Sequence, residues 1–94
     1  APSVRIVAAQ ALAQYGPEED LKRCLEVLVE LANLRKHGLY VAIEALNALD
    51  ELDQKAASVR QAIRALPQED PALNPRLAAY VPRLIEKILA DLGG

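Results

Sequence analysis

Residues 7–12 read VAAQAL, and residues 41–46, which lie 34 positions further along the chain, read VAIEAL. This shift preserves the apolar positions and places the polar Gln10 over the polar Glu44. A period in the thirties built from two helices is typical of a helical solenoid, in which stacked hairpins bury faces that one hairpin cannot bury alone. The sequence therefore predicts such a stack, and the alternative is an ordinary helical bundle whose apolar patterns align by chance.

The first hairpin is predicted from Ser3 to Ala32. Its first helix spans Ser3–Tyr15 with Ser3 as N-cap, and the second spans Pro17–Ala32. Because Gly16 and Pro17 make a tight connection, the two helices should run antiparallel. The inward apolar positions of the first helix are predicted to be Val4, Val7, Ala8, Ala11 and Leu12. Those of the second are Leu21, Cys24, Leu25, Leu28, Val29 and Leu31.

Loops and prolines divide the rest of the chain into further helical segments. A loop is predicted over Asn33–Gly38, and a break is expected near Pro82, which would clash with the preceding turn inside a helix. The predicted helices are Leu39–Leu52, Lys55–Leu66, Pro75–Tyr80 and Pro82–Leu92. The first of these should turn inward Leu39, Ala42, Ile43, Leu46 and Leu49. The predicted fold is an all-α right-handed superhelix of about two and a half hairpins, forming a single domain over residues 1–94.

The composition supports this fold class and argues against several functions. Ala and Leu supply 17 and 16 of the 94 residues, whereas the chain has two Ser, one Cys and one His. So few nucleophiles and bases argue against an enzyme, and a single His and a single Cys argue against a metal or cofactor site. A net charge of -2 is unsuited to nucleic acid, and no apolar run approaches a membrane span. The start at Ala1-Pro2-Ser3, without Met, predicts a piece of a longer protein.

The opening segment, PSVRIVAAQALAQYG, resembles the second helix of a HEAT repeat. The matching features are Pro2, the Val4-Arg5 pair, the Ala-rich run that ends at Leu12, and Gly16. This resemblance implies a HEAT-like α-α superhelix. In the second copy Leu39 stands where the family has arginine, so the resemblance does not imply the polar ladder that stacked arginines make between repeats.

A second resemblance covers most of the chain. The succession PSVRIVAAQALAQYG, EEDLKRCLEVLVELAN, GLYVAIEALNALDEL, AIRALP and YVPRLIEKIL is similar to the C-terminal helical tail of a group of bacterial sulfatases. The family's Cys/Ser-x-Pro-x-Arg motif is absent, because Cys24 stands in Arg-Cys-Leu-Glu. The family's calcium site, which is rich in Asp and His, has no counterpart either, because His37 is the only histidine. The resemblance thus implies an accessory domain without catalytic residues, in a parent hydrolase that would be periplasmic or extracellular.

Candidate binding residues lie on the third predicted helix. Tyr40, Glu44, Asn47 and Glu51 are spaced to share one helix face, which would line the concave side of a solenoid. Gln10 and Gln14 of the first helix are predicted to extend this face into a mildly acidic protein-binding surface. The alternative is a solvated face with no partner. Cys24 is expected in the core and His37 in a solvated loop.

The first helix indicates a partner for a different reason. Apolar residues occupy nearly its whole circumference, whereas an end repeat normally presents a polar cap to water. We therefore expect it to be covered by protein, namely an upstream repeat, a catalytic domain of the parent chain or a second copy. The functional prediction is a non-catalytic helical-repeat accessory or interaction domain that forms the C-terminal part of a sulfatase-like hydrolase. The alternative is a stand-alone or engineered scaffold that binds a protein on its concave face.

Overall fold

Helix α4, Leu39–Leu52, lies at the centre of the computed structural model, which describes residues 2–93 apart from the side chains of Pro75 and Ala78. The other helices are α1 (Pro2–Tyr15), α2 (Glu18–Leu31), α3 (Leu34–His37), α5 (Arg60–Arg64), α6 (Pro75–Ala78) and α7 (Tyr80–Asp91). A 3-10 segment, Asp53–Val59, connects α4 to α5. Residues 2–93 contain no strand, so the described part of the fold is all-α, as predicted.

Helices α1, α4 and α7 form one layer, with α4 between the other two. Gln54 and Lys55, which lie just after the C-terminal end of α4, show how the three helices of this layer are aligned. The side-chain amide of Gln54 donates to the carbonyl of Asp91 (2.7 Å), and the ammonium of Lys55 donates to the carbonyl of Gln14 (2.6 Å). The C-terminal ends of all three helices therefore lie together, and the helices run parallel. Helix α2 and the 3-10 segment pack beneath this layer, and the Cα envelope is only 17 Å thick.

The core consists mainly of leucine and isoleucine from all of the long helices. Its fully buried large side chains include Leu25, Leu28, Leu31, Leu34, Leu46, Leu49, Ile63, Ile85 and Ile88. Burying each such side chain contributes about 1.5–3 kcal/mol relative to leaving it in water. The predicted stripes of the second and third helices are confirmed, except that Leu21, Val29 and Ile43 are only half-buried. No polar or charged residue among those described is buried.

The predicted loop over Asn33–Gly38 is wrong, because most of it is the helical turn α3. The Asn33 side chain accepts hydrogen bonds from the backbone N–H groups of Arg35 and Lys36, at 3.1 and 3.2 Å, and so caps this turn. Gly38 then connects α3 to α4 with φ of 87°, a conformation that strongly favours glycine. Leu34 uses the turn to enter the core.

The second half of the chain also differs from its predicted boundaries. Instead of one helix over Lys55–Leu66, a 3-10 segment precedes the short α5. Asp53, at its start, has φ of 52° and ψ of -129°. The expected break between two helices is present but lies at Ala79, because α6 ends at Ala78 and α7 begins at Tyr80, which places Pro82 in the first turn of α7. Backbone N–H groups in that turn have no partner within the helix, so proline is tolerated there.

The predicted orientation of α1 is wrong. Its buried residues are Ile6, Ala9 and Ala13, whereas Val4 and Val7 are each 67% exposed. Both sets have helical spacing and both are apolar, so the pattern alone could not choose between them. The small Ala9 and Ala13 allow α1 to approach its neighbours closely. Ser3 is likewise not an N-cap, because α1 already begins at Pro2.

Because α1 turns a different side to the core than predicted, the residues that the 34-residue shift aligns differ in their burial. Under this shift Ala8, Ala11 and Leu12 align with Ala42, Ala45 and Leu46. The α4 residues are all fully buried, whereas the α1 residues are all exposed. The side of α1 that faces solvent thus carries the pattern that α4 buries.

Candidate interaction surface

The predicted binding residues do share a surface, which we call the α1–α4 polar face and define as Gln10, Gln14, Tyr40, Glu44, Asn47 and Glu51. The four α4 residues lie on the exposed side of that helix, and the Tyr40 side chain is 74% exposed. Helix α1 runs beside them, since the Ser3 hydroxyl donates to Glu44 Oε1 (3.2 Å) and the Gln10 side-chain amide donates to Glu51 Oε2. The sequence pattern therefore grouped the α1 and α4 residues correctly.

Part of this polar face serves the contact between the two helices. Glu44 and Glu51 each accept a hydrogen bond from α1, which partly satisfies their carboxylates. The carbonyl of Gln14 is bound by Lys55 and so anchors the end of α1. Tyr40 and Asn47 lie on the side of the face that points to solvent. The face is consequently acidic and largely exposed, with a single aromatic side chain available for a contact.

A second surface lies next to the first. The sequence pattern did not predict its residues, because that pattern placed most of them in the core. We call it the α1 apolar face and define it as Val4, Val7, Ala8, Ala11, Leu12 and Tyr15. Val4 and Val7 are 67% exposed, Leu12 is 49% and Tyr15 is 82%. Ser3 and four of these residues line an open depression of about 390 Å³. Arg5 is the only charged residue anywhere in α1 and the face itself contains none, although Glu44 and Glu51 lie at its boundary with α4.

The available sequence signal was the nearly complete apolar circumference of α1. It predicted that α1 would present an apolar surface outside the core, and the structure shows one, but it assigned Val4, Val7 and Leu12 to the protein's own core. A helix with polar residues on one side only would have revealed its orientation. In α1 the polar Ser3, Gln10 and Gln14 occupy the boundary beside α4 rather than the face opposite the core.

A larger cleft, of about 470 Å³, lies between α3 and the loop that precedes α6. The Arg35 guanidinium crosses it and donates from Nε to the carbonyl of Glu69 (2.9 Å). Gln68, Asp70, Leu73 and Pro82 complete much of its lining. Arg35, the cation among the residues that line the cleft, therefore holds the loop in place.

The residues that could carry chemistry are dispersed. Cys24 is buried, and burial, followed by the charge of Asp20, raises the pKa of its thiol. His37 is half-buried in α3 rather than in a solvated loop, and its Nε2 lies 3.3 Å from Glu30 Oε1. Within residues 2–93, no three His, Cys, Asp or Glu side chains are grouped as metal ligands would be. None of the described helices has the length and apolar character needed to cross a membrane.

Comparisons with family models, with curated proteins and with solved structures gave no match for this chain. The HEAT-like and sulfatase relationships therefore stay predictions that rest on sequence resemblance. The function has to be inferred from the two surfaces described above.

Proposed function

We propose that this chain is a non-catalytic helical interaction module that docks onto protein through the α1 apolar face. The observation that carries the proposal is the exposure of large apolar side chains along a helix that has one charged residue. Isolated apolar residues are normal on a protein surface, but a contiguous patch of them is typical of an interaction site. The patch also has the same apolar pattern as the side of α4 that is buried against other helices. Such a pattern is expected on a surface that another protein covers.

The proposal has a finer form that concerns the architecture. The parallel α1–α4–α7 layer, with α2 and the 3-10 segment beneath it, is compatible with a HEAT-like stack of two and a half hairpins. The support for this form is the 34-residue sequence shift together with that layer. In a stack of this kind, a further helical element would cover α1 as α1 and α7 cover α4.

Sequence resemblance extends the proposal to a parent protein. If the similarity to the sulfatase tail reflects descent, the α1 apolar face would contact the hydrolase that precedes it in the parent chain. The support is the resemblance over five segments. The coding sequence upstream of Ala1 tests this form, because a Cys/Ser-x-Pro-x-Arg motif there would favour it and an unrelated domain would contradict it.

The second candidate function uses the α1–α4 polar face to bind a protein partner in trans. The specific observation in its favour is Tyr40, which is 74% exposed at the edge of an otherwise acidic surface. Replacing Tyr40 and Asn47 with Ala should weaken binding if this face is used. Replacing Val7 would leave such binding unchanged, which separates the two candidates.

Position-specific photocrosslinking tests the main proposal. A benzoylphenylalanine at Val7 should give protein adducts in the cells that make the natural protein, and the further substitution Ala11→Glu should abolish them. A matched probe at Lys22, which is exposed on α2, should give none. Equal adducts from both positions, or no adduct from Val7, would contradict the proposal.

A further inference from the structure

The α7 side of the layer, opposite α1, presents a small cluster of basic and aromatic side chains. Arg76, Tyr80 and Arg83 are all exposed, and with Ala79 they line an open depression of about 300 Å³. We call these three residues the α6–α7 basic surface. Because α4 lies between α1 and α7, this surface is separate from the α1 apolar face, and the function proposed for that face does not use it.

The two arginines of this surface are not neutralised within the described part of the chain. Neither the Arg76 nor the Arg83 guanidinium forms an ion pair or a hydrogen bond with any of residues 2–93. Glu86, one turn after Arg83, is exposed and does not pair with it. The α6–α7 basic surface therefore offers two guanidinium forks, and each can bind a carboxylate through two N–H donors.

The adjoining cleft limits which anions fit this surface. Ala79 lines both the depression and the larger cleft between α3 and the loop that precedes α6, so the two are adjacent. Glu69 and Asp70 belong to the lining of that cleft, and so do the apolar Leu73 and Pro82. A polyanion such as a nucleic acid, laid across both, would bring phosphates near these carboxylates, and the whole chain has a net charge of -2. A short acidic group followed by an apolar side chain avoids this repulsion.

We propose that the α6–α7 basic surface binds an acidic segment of another protein. Carboxylates of that segment would accept hydrogen bonds from Arg76 and Arg83, and an apolar neighbour would enter the cleft beside Leu73. Hydrogen bonds between arginine and a carboxylate are charge-assisted and roughly twice as strong as neutral ones. Tyrosine and arginine are also enriched among the residues that dominate binding in protein interfaces, which favours a protein as the partner.

The exposure of these side chains sets the strength of the interaction. Ion pairs between exposed side chains contribute little, because water and salt screen them. A short acidic peptide should therefore bind with a Kd of about 0.1–1 mM, and added salt should weaken this binding. At such a Kd the surface is mostly empty when the partner is micromolar, so Tyr80 stays accessible to solvent.

A titration of the isotope-labelled chain, followed by NMR, tests the proposal. The probe is a short peptide with two glutamates followed by a leucine, and the control peptide has glutamines in place of the glutamates. The acidic peptide should shift the amide signals of Tyr80 and Arg83 in a saturable way. Arg76→Gln and Arg83→Gln should each weaken this binding at least about threefold. Arg5→Gln, the same change at an exposed arginine of α1, should leave it unchanged, and circular dichroism checks that all three variants remain folded.

Equal binding of the two peptides, or an equal effect of Arg5→Gln, would overturn the acidic partner, and so would the absence of saturable shifts up to about 5 mM peptide. A thymidine oligonucleotide of equal charge distinguishes nucleic acid from protein. It should bind more weakly than the acidic peptide, and tighter binding that depends on Arg76 and Arg83 would overturn the choice of a protein. Photocrosslinking from Val7 tests the α1 apolar face separately, so either proposal can fail while the other stands.

Discussion

Replacing Asp53 with glycine should stabilise the protein, although the change removes a side chain. Among residues 2–93, Asp53 is the only residue other than glycine with a positive φ, and its angles of 52° and -129° lie where a Cβ atom is poorly accommodated. Holding a residue in such a sparsely populated region costs about 1–3 kcal/mol. Glycine adopts it freely but gives the unfolded chain more freedom, which costs about 0.4–1 kcal/mol. The difference predicts a net gain of about 1 kcal/mol for Asp53→Gly.

Thermal unfolding followed by far-ultraviolet circular dichroism measures this gain. For a domain of this size, 1 kcal/mol corresponds to a rise of about 4–8 °C in Tm. Ser58→Gly is the matched control, because Ser58 lies in the same 3-10 segment, is exposed and does not have a positive φ. It should lower stability by about 0.5–1 kcal/mol. The reasoning fails if Asp53→Gly destabilises the protein as much as Ser58→Gly does.

Three further predictions concern single side chains. Lys55→Ala should destabilise the protein by about 1 kcal/mol in urea unfolding, because it removes the donor to the last carbonyls of α1, whereas Lys22→Ala should have little effect. Cys24 should react with a thiol reagent at least about a hundredfold more slowly in the native than in the urea-unfolded protein, because burial both shields its thiol and raises the pKa of that thiol. Similar rates in the two states would contradict its place in the core. The hydrogen bond and charge of Asp50 raise the pKa of Lys87, so this stabilisation is present below the unfolded pKa of lysine and is lost as pH rises through the folded value. The stability difference between wild type and Asp50→Asn should therefore be constant up to about pH 10 and shrink as the pH rises further, and a difference that stays constant above that pH would count against the pair.

The sequence predicted best the helices whose two sides differ. Helix α4 has the predicted boundaries, and its apolar side is buried against three neighbours. Helix α2 agrees within one residue at each end and has an equally clear apolar stripe. In both helices polar residues occupy the opposite side, so local pattern and tertiary packing favour the same orientation.

Prediction failed where the local pattern left a choice that packing then made. The apolar circumference of α1 allowed two orientations, and the close approach permitted by Ala9 and Ala13 selected the one that exposes Val4 and Val7. The 3-10 segment begins at Asp53, whose positive φ has no signature in its residue type. The sequence did place Gln10 beside the polar side of α4, as its hydrogen bond to Glu51 shows, whereas the α1 apolar face was predicted only as a need for a partner.

The three tyrosines provide the most direct test of the claim that the α1 apolar face is covered by protein. Tyr15, Tyr40 and Tyr80 are 82%, 74% and 55% exposed, and only Tyr15 belongs to that face. Oxidative labelling can be compared between the dilute purified chain and the natural protein in intact cells. We predict that all three are labelled in the dilute chain and that Tyr15 alone becomes protected in cells. Labelling of Tyr15 that keeps the same ratio to Tyr40 and Tyr80 in both settings would contradict the account.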